Sequence, residues 1–158
     1  MGLLLTDNNF LPQAKTLVEQ AKSSIDIVTF KAELTHKPRG TFLFAFFNEL
    51  ILQAKKGLRV RILLNWNSER RSVPLTNKYV MEQMKTNNVQ VRHLPDNRCC
   101  HAKLILVDKQ KAIIGSHNLS VKSCHNNFEM SYLIPDPETV KEISDVFARS
   151  WGNSIKMK

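Results

Sequence analysis

The period of the apolar residues switches repeatedly along the chain, and this alternation constrains the fold more than any other feature of the sequence. Helical spacing predicts an amphipathic helix over 8–22, and an alternating, β-branched run predicts a strand over 24–30. Further helices are predicted over 41–56, 77–86 and 137–151, and further strands over 58–65, 89–93, 102–107, 112–115 and 128–134. Helices and strands alternate in the first half, which is typical of a sheet covered by helices. The sequence therefore predicts an α/β fold, with a mixed β-sheet sandwiched between helices.

The segments between these elements complete the expected organisation. Residues 31–40 and 66–76 are polar connectors, and residues 119–125 are irregular or form a short helix. The apolar residues 3–5 are interpreted as a staple before the first helix. Asp7 or Asn8 would cap that helix, which tolerates Pro12 if this residue falls in its first turn. No linker, repeat or low-complexity tract is apparent, so residues 1–158 are expected to form a single domain.

A large positive charge restricts the partners that the chain can bind. It has 23 Lys and Arg residues against 14 Asp and Glu residues, which gives a formal net charge of +9. Such a surplus favours a polyanion, whether a nucleic acid, an acidic membrane surface or a phosphorylated substrate. Charge alone does not choose among these three.

The cysteine and apolar content indicates a soluble protein of a reducing compartment. Cys99, Cys100 and Cys124 are odd in number and clustered, so they do not form a disulfide framework. The longest apolar stretch, residues 42–52, is shorter than the roughly 20 residues that span a bilayer. The first residues lack the basic and apolar regions of a signal peptide. We therefore expect a cytoplasmic protein that does not insert into membranes.

The densest group of reactive side chains lies between residues 101 and 129. His101 and Lys103 are two residues apart, so their side chains point to the same face of an extended strand. An aspartate, a Gly-Ser pair, an asparagine and a later glutamate follow, and the core of the pattern reads H-x-K-x4-D-x6-G-S-x-N. The predicted strands would bring an imidazole, an ammonium, a hydroxyl, a carboxamide and a carboxylate to neighbouring strand ends.

These residue types suit the cleavage of a phosphodiester. Lys103 and Asn118 can hold the non-bridging oxygens and stabilise the charge that develops at phosphorus. His101 can attack phosphorus to form a covalent phosphohistidine. Ser116 can donate a hydrogen bond to the phosphate or the imidazole, and Glu129 can accept the proton of the second ring nitrogen and so orient the ring. None of these steps requires a metal ion or another cofactor.

The motif resembles the signature of the phospholipase D superfamily, with each fixed residue type at the matching spacing. The segments AKSSIDIVTF, GLRVRILLNW and VFARSWGN are similar to that family as well, so the resemblance covers nearly the whole chain. It implies that His101 is the nucleophile and that a second histidine protonates the leaving group. This sequence carries one copy of the motif, because His36-Lys37 and His93 do not repeat it.

The resemblance also implies how a chain with one motif obtains a second histidine. The small single-motif members of that family are nucleases that dimerise. A homodimer with its two-fold axis through the active site would bring the His101 side chains of both subunits together. One imidazole would attack and the other would donate a proton to the leaving oxygen. The expected function is therefore metal-independent phosphodiester hydrolysis, with DNA as the favoured substrate of an endonuclease.

Asp108 is counted with the catalytic residues of the motif, but its position has a simpler explanation. It falls at a predicted tight turn, where aspartate is favoured because its carboxylate hydrogen-bonds the nearby backbone. We therefore expect Asp108 to be structural, or to support the motif residues without contacting the substrate.

Two cysteine–histidine clusters suggest a zinc site as an alternative. Cys99 and Cys100 precede His101, and Cys124 precedes His125. Adjacent cysteines on an extended chain point apart, and the sequence contains no C-x2-C pair. The thiols are therefore interpreted as buried or half-exposed groups near the site, and no metal is expected.

Basic side chains in the connectors are the strongest candidates for contacts with a nucleic-acid backbone. Lys37 and Arg39 lie in the first polar connector, and Arg70 and Arg71 lie in the second. Contacts of this kind give affinity without reading the base sequence. Trp66, near the second pair, could stack on a base, although core packing or a dimer contact explains it equally well.

Two other functions remain open. A lipid hydrolase or phosphatidyl-transfer enzyme would use the same histidine chemistry, and turnover of phosphatidylcholine or cardiolipin without DNA cleavage would identify it. A nucleic-acid-binding module that has lost catalysis would bind DNA equally well with and without His101. A separate specificity domain or a regulatory partner is compatible with each of these functions.

Overall fold

Strands and helices follow one another in the mixed order that the apolar pattern predicts. The computed structural model describes residues 2–35, 40–66, 72–95 and 98–156. Its strands are β1 (Leu3–Thr6), β2 (Ser24–Thr29), β3 (Arg59–Leu64), β4 (Gln90–His93), β5 (Leu104–Val107), β6 (Lys111–Gly115), β7 (Met130–Ile134) and β8 (Ile155–Lys156). Its helices are α1 (Asp7–Glu19), α2 (Thr41–Lys55), α3 (Ser72–Lys85), α4 (Val121–His125) and α5 (Pro137–Gly152). None of the helices in these ranges has the length and apolar character needed to cross a membrane.

The strands form one mixed sheet with helices on both faces. The strand order is β1-β7-β6-β5-β2-β3-β4-β8, and only β2, β3 and β4 are parallel neighbours within the described residues. On one face α1, α2, α3 and α4 cover a core in which Phe46 and Met84 are fully buried with Ile27. On the other face α5 packs Val140 and Phe147 against the sheet. The predicted α/β fold, with its mixed sheet between helices, is confirmed.

An ion pair between β2 and β3 packs against the aromatic side chains of α5. Asp26 of β2, which is 1% exposed, accepts hydrogen bonds from Nε and Nη2 of Arg61 in β3 at 2.7 and 2.9 Å. The Arg61 guanidinium lies over the rings of Phe147 and Trp151, 4.8 and 5.1 Å from their centroids. The bidentate geometry and the two aromatic faces compensate for the removal of these charges from water.

Four strand ends meet at one edge of the sheet, and the motif lies there. β2 and β5 are antiparallel, as are β5 and β6, and β6 and β7. The C-terminal ends of β2 and β6 therefore lie beside the N-terminal ends of β5 and β7. His101 and Lys103 immediately precede β5, Ser116 immediately follows β6, and Glu129 immediately precedes β7. The topology thus brings these side chains to one edge although up to 28 positions separate them in the sequence.

The two outermost strands were not predicted. Residues 3–5, interpreted as a staple, instead belong to β1, which pairs antiparallel with β7. β8 has two residues and pairs with β4. Both strands exist because a neighbouring strand supplies hydrogen bonds, and neither is long enough to show a period of its own.

Two predicted helix starts were wrong. α1 begins at Asp7 with Thr6 as its N-cap, so neither Asp7 nor Asn8 is the cap and Pro12 lies in the second turn rather than the first. α3 begins at Ser72, so the helix includes the last five residues of the predicted connector 66–76. A proline at the third position of α3 is compatible with the helix, because the first N–H groups of a helix have no partner in it.

Candidate active site

His101 and Lys103 meet where β5 begins. Lys103 Nζ lies 3.2 Å from Nδ1 and 3.5 Å from Nε2 of His101, and it donates a hydrogen bond to the main-chain oxygen of His101. Phe30, just after β2, packs against both: its ring centroid is 5.1 Å from that of the imidazole and 5.7 Å from Nζ. The imidazole is exposed, whereas Lys103 is 9% exposed. A phosphate that reaches the imidazole would therefore meet the ammonium as well.

Burial sets the electrostatics of Lys103. Desolvation lowers the pKa of its ammonium below the ordinary value, and the negative charge of Glu129 acts in the opposite direction. A bound phosphate would add further negative charge beside this ammonium. The arrangement therefore favours an anionic ligand at the exposed side of Lys103.

The Gly-Ser pair lies where the end of β6 approaches the start of β7. A Cβ atom at position 115 would collide with the main-chain oxygen of Met130 and with Oγ of Ser131, so this approach requires glycine. Ser116 is exposed, and its Oγ accepts a hydrogen bond from the N–H of Met130 at 3.1 Å. The hydroxyl is thus fixed at the rim of the site.

Asn118 is held by the segment that follows β2. Its Oδ1 accepts a hydrogen bond from the main-chain N–H of Lys31 at 3.1 Å and lies 3.5 Å from Oγ1 of Thr29. Its own main-chain N–H donates to Oγ of Ser123 at 2.8 Å. Because the N–H of Lys31 requires an acceptor, the carboxamide oxygen is identified, and the NH2 group is the donor that can meet a phosphate oxygen.

Glu129 is buried but does not contact the imidazole of His101. Its Oε1 accepts hydrogen bonds from Oγ of Ser123 and Nδ2 of Asn127, each at 2.9 Å. Within the described ranges, no hydrogen bond joins Glu129 to His101, whose ring lies against Phe30 instead. That Glu129 orients this ring stays a prediction, since in the single chain Ser123 and Asn127 hold the carboxylate through hydrogen bonds.

The carboxyl group of Glu129 is stabilised in its ionised form. Burial acts to raise its pKa, but the hydrogen bonds of Ser116, Asn127 and Ser123, with a smaller effect of His117, lower the pKa below its ordinary value. The site therefore contains a buried carboxylate that favours the charged form of the nearby lysine.

Asp108 lies at the opposite end of β5 from the rest of the motif. Its Oδ1 accepts hydrogen bonds from the N–H groups of Ser23 and Ser24 at 2.8 and 2.9 Å and from the Ser23 hydroxyl at 2.9 Å. Its Oδ2 accepts from the N–H of Lys22 at 2.9 Å. These contacts favour the expected structural role of Asp108, which stays a prediction: its carboxylate ties the β5–β6 turn to the start of β2.

Three residues that sequence reasoning missed hold the site together. Phe30 packs on the nucleophile candidate, Thr29 lies beside the Asn118 carboxamide, and Ser123 contacts both Asn118 and Glu129. Phe30 had a signal, since it ends a predicted strand whose C-terminal end faces the motif. Ser123 had none, because the sequence pattern left open whether residues 119–125 are helical.

Comparison with known proteins identifies the family. The family profile described as cardiolipin synthase, PLD-like domain, matches residues 15–151. The chain belongs to the phospholipase D-like family. Among curated relatives, mouse mitochondrial cardiolipin hydrolase is 29% identical over 114 residues, which are 69% of this chain and 49% of that protein. The chain spans about half the length, or less, of the curated relatives that it matches.

Solved structures show the same fold. Nuc from Salmonella typhimurium, a phospholipase D family member, has a TM-score of 0.81 at 16% identity and covers 100% of this chain and 99% of its own. TrmBL2, an archaeal chromatin protein described as showing a novel mode of DNA binding, has a TM-score of 0.65 at 16% identity, over 99% of this chain and 54% of its own. At these identities the likeness concerns the fold.

The other described histidines of this phospholipase D-like chain each have different neighbours. His117 is buried, with its ring stacked on that of Phe10 at a centroid distance of 4.1 Å. His93 is buried in β4, and the exposed His125 lies near Phe42, with 6.5 Å between ring centroids.

The cysteine clusters do not form a metal centre in the described ranges. Burial raises the pKa of the Cys100 and Cys124 thiols to about 12, so both are protonated at neutral pH. Cys99 is exposed, whereas Cys100 and Cys124 are buried. Among the described residues, no group of three or more His, Cys, Asp or Glu side chains is arranged to hold a metal ion.

An apolar groove begins beside the exposed imidazole of this phospholipase D-like chain. Its volume is about 410 Å³, and it lies between α5 and the segment that leads into β5. His101 and Leu104 line it from the β5 side, Ile114 from β6 and Val146 from α5. An apolar group attached to a bound phosphodiester could therefore lie here.

The predicted contacts of four basic residues with nucleic acid stay predictions. Lys37, Arg39, Arg70 and Arg71 lie outside the described residues. Trp66 is half-buried just after β3, and its ring centroid is 6.4 Å from that of His93. Its predicted role in stacking on a base stays a prediction.

Proposed function

We propose that this chain hydrolyses phosphodiester bonds of DNA through a covalent phosphohistidine at His101, without a metal ion. The observation that carries the proposal is the contact between an exposed imidazole and the buried ammonium of Lys103. This contact puts a nucleophile beside a cation that can bind the phosphate. Membership of the phospholipase D-like family supports the chemistry. The net charge of +9 and the fold shared with a DNA-binding chromatin protein support a nucleic-acid substrate.

The reaction has two displacements at phosphorus. In the first, a ring nitrogen of His101 attacks, the P–N bond forms, and the P–O bond to the leaving group breaks as a second imidazole donates a proton to that oxygen. Lys103 and the NH2 group of Asn118 stabilise the charge on the non-bridging oxygens, and Glu129 favours the ammonium form of Lys103. In the second, water attacks phosphorus, gives its proton to the second imidazole, and releases His101.

A second copy of the chain supplies the second imidazole. The sequence carries one copy of the motif and therefore one motif histidine, and the buried His117 is stacked on Phe10. Two copies related by a two-fold axis would each contribute His101 to one shared site. In this composite site each of the two imidazoles can take either role.

An open apolar row on the sheet supports self-association. Leu4, Tyr132 and Ile114 are cross-strand neighbours on β1, β7 and β6, and all three are exposed. Ile114 also lines the groove that reaches His101, so a partner seated on this row would approach the site. We expect Ile114→Asp to shift the protein from dimer to monomer in analytical ultracentrifugation and to lower cleavage with it. A fully active monomer would contradict the shared site.

The proposal is tested with supercoiled plasmid DNA in excess EDTA. Wild type is compared with His101→Ala and with His125→Ala, a matched control at an exposed histidine outside the site. We expect wild type and His125→Ala to cleave and His101→Ala to be inactive. If no variant cleaves DNA but wild type and His101→Ala bind it equally, the chain is a binding module rather than a nuclease.

A phospholipid hydrolase is the second candidate, and the apolar groove favours it. A groove of about 410 Å³ beside His101 is within the roughly 300–1,000 Å³ range of ligand sites and could hold an acyl chain. Val146→Glu would place a charge in this groove without touching the motif. Turnover of cardiolipin or phosphatidylcholine vesicles that Val146→Glu abolishes, with no cleavage of DNA, would establish the lipid activity instead.

A further inference from the structure

Ser123 joins two parts of the site that are distant in the chain. Its Oγ lies 2.8 Å from the main-chain nitrogen of Asn118 and 2.9 Å from Oε1 of Glu129. The side chain is in α4, between the loop that carries Asn118 and the start of β7. Ser123 is 1% exposed, so water does not substitute for either hydrogen bond.

The direction of both hydrogen bonds is fixed by chemistry. An N–H group only donates, and an ionised carboxylate only accepts. The Ser123 oxygen therefore accepts from the Asn118 N–H while its hydroxyl proton is donated to Glu129. A donor–hydroxyl–carboxylate chain of this kind is strengthened by mutual polarisation, and in a buried site neither end can lose its partner without a penalty.

We propose that Ser123 is a positioning residue of the active site, whose hydroxyl holds the phosphate-binding Asn118 and the carboxylate of Glu129 in a fixed relation. This inference rests on the proposed function, because Asn118 must bind the phosphate for its placement to matter. Ser123 itself touches neither the imidazole nor the ammonium of the motif. It acts through Asn118, whose carboxamide is fixed from the other side by the N–H of Lys31.

Loss of the Ser123 hydroxyl should raise the pKa of Glu129. The titratable groups that face this carboxylate are Lys103 just before β5, His117 from the segment after β6, and Cys124 from α4. These groups remain when Ser123 is changed, whereas one of the donors to Oε1 is lost. The ionised form is then less stabilised, and the carboxyl binds its proton at a higher pH.

The experiment compares Ser123→Ala with Ser120→Ala. The Ser120 hydroxyl accepts from the main-chain N–H of Ser123 and caps the same helix, but it contacts neither Asn118 nor Glu129. The pKa of Glu129 is measured by carboxyl ¹³C NMR, and plasmid cleavage is measured across pH. For Ser123→Ala we expect the pKa of Glu129 to rise by about one pH unit and cleavage at neutral pH to fall by about tenfold or more. Ser120→Ala should leave the pKa of Glu129 unchanged.

Two further variants keep the test decisive. Ser123→Thr retains the hydroxyl and should restore both the pKa of Glu129 and cleavage. If Ser123→Ala fails to fold, Ser123→Cys conserves the shape with a weaker donor and should give a smaller shift in the same direction. An unchanged pKa of Glu129 in Ser123→Ala, or equal loss of cleavage in Ser120→Ala, would overturn the inference. The NMR titration needs no substrate, so a wild type that cleaves no DNA would refute the proposed function while the effect on Glu129 was still measured.

Discussion

Replacing Asp108 tests whether the aspartate of the motif is structural. Its carboxylate accepts four hydrogen bonds from residues 22–24, and a hydrogen bond to a charged group is worth about 1.5–3 kcal/mol. Asp108 is half-buried, so water recovers much of this energy. We expect Asp108→Gly to cost about 2 kcal/mol of folding free energy. Asp108→Ala should cost about 1 kcal/mol more, because Asp108 has φ 55 and a Cβ disfavours the left-handed region.

Asparagine provides the matched control at this position. Asp108→Asn keeps an oxygen for the three hydrogen bonds that Oδ1 accepts but places an amide opposite the N–H of Lys22. Its expected cost is about 1 kcal/mol, since one hydrogen bond is lost and the charge is removed. Urea denaturation at neutral pH measures the three free energies of unfolding. Plasmid cleavage without urea, at saturating DNA, measures activity. Activity per mole of folded protein should equal that of wild type in all three variants.

The pH dependence of this effect has a defined sign. Burial raises the pKa of Asp108, but the N–H groups of Ser24, Lys22 and Ser23 lower it by more, so its folded pKa lies below the ordinary value. The stability that the carboxylate contributes is therefore complete above its unfolded pKa of about 3.9 and is lost as pH falls through the lower folded pKa. The difference between wild type and Asp108→Asn should be constant from neutral pH to about pH 5 and should shrink below it. A folded Asp108→Asn that is as stable as wild type but inactive would refute the structural role.

Three further perturbations follow from the contacts of the described residues. Asp26→Ala leaves the Arg61 guanidinium, whose side chain is 13% exposed, without its counter-charge and should cost about 3 kcal/mol in urea denaturation. The double variant Asp26→Asn with Arg61→Met should cost less than Asp26→Ala, and a cost below about 1 kcal/mol for Asp26→Ala would contradict the importance of the pair. Asn118→Ala removes one donor to the developing charge and should lower the cleavage rate by about 10²–10³, while DNA affinity by fluorescence anisotropy stays within about threefold; an equal loss of affinity and rate would mean that Asn118 only binds. Mixing wild type with excess His101→Ala subunits should inhibit cleavage as heterodimers form, whereas full activity per wild-type subunit would exclude a shared site.

The elements with a clear apolar period could be predicted from the sequence, and those that depend on a neighbour could not. β2 and α2 lie within a residue or two of their predicted bounds. All six side chains of β2 are buried, and the buried side chains of α2 recur at helical spacing. β1 and β8 are short edge strands that exist through pairing, and the start of α3 contains a proline that reads as a loop signal. The sequence of a short edge strand does not show which neighbouring strand it will pair with.

The motif predicted which residue types meet, but not which contacts they make. The spacing of His101 and Lys103 placed them on one face, and in the structure they touch. The same reasoning assigned Glu129 to the imidazole, whereas in the single chain its carboxylate accepts from Ser116, Asn127 and Ser123. Fixed spacing constrains where a backbone can lie, whereas the partner of a buried carboxylate depends on every donor that packing brings near it. Ser123 could be found only after α4 was placed.

The most direct test of the central claim is to trap the covalent intermediate. Wild type and His101→Ala are mixed with an oligonucleotide substrate, quenched with base to preserve a phosphoramidate, and analysed by intact-mass and peptide mass spectrometry. We expect a nucleotide adduct in wild type that maps to the peptide containing His101, and no adduct in His101→Ala. Rapid cleavage by wild type with no adduct at His101, at quench times that span the first turnover, would contradict nucleophilic attack by this imidazole.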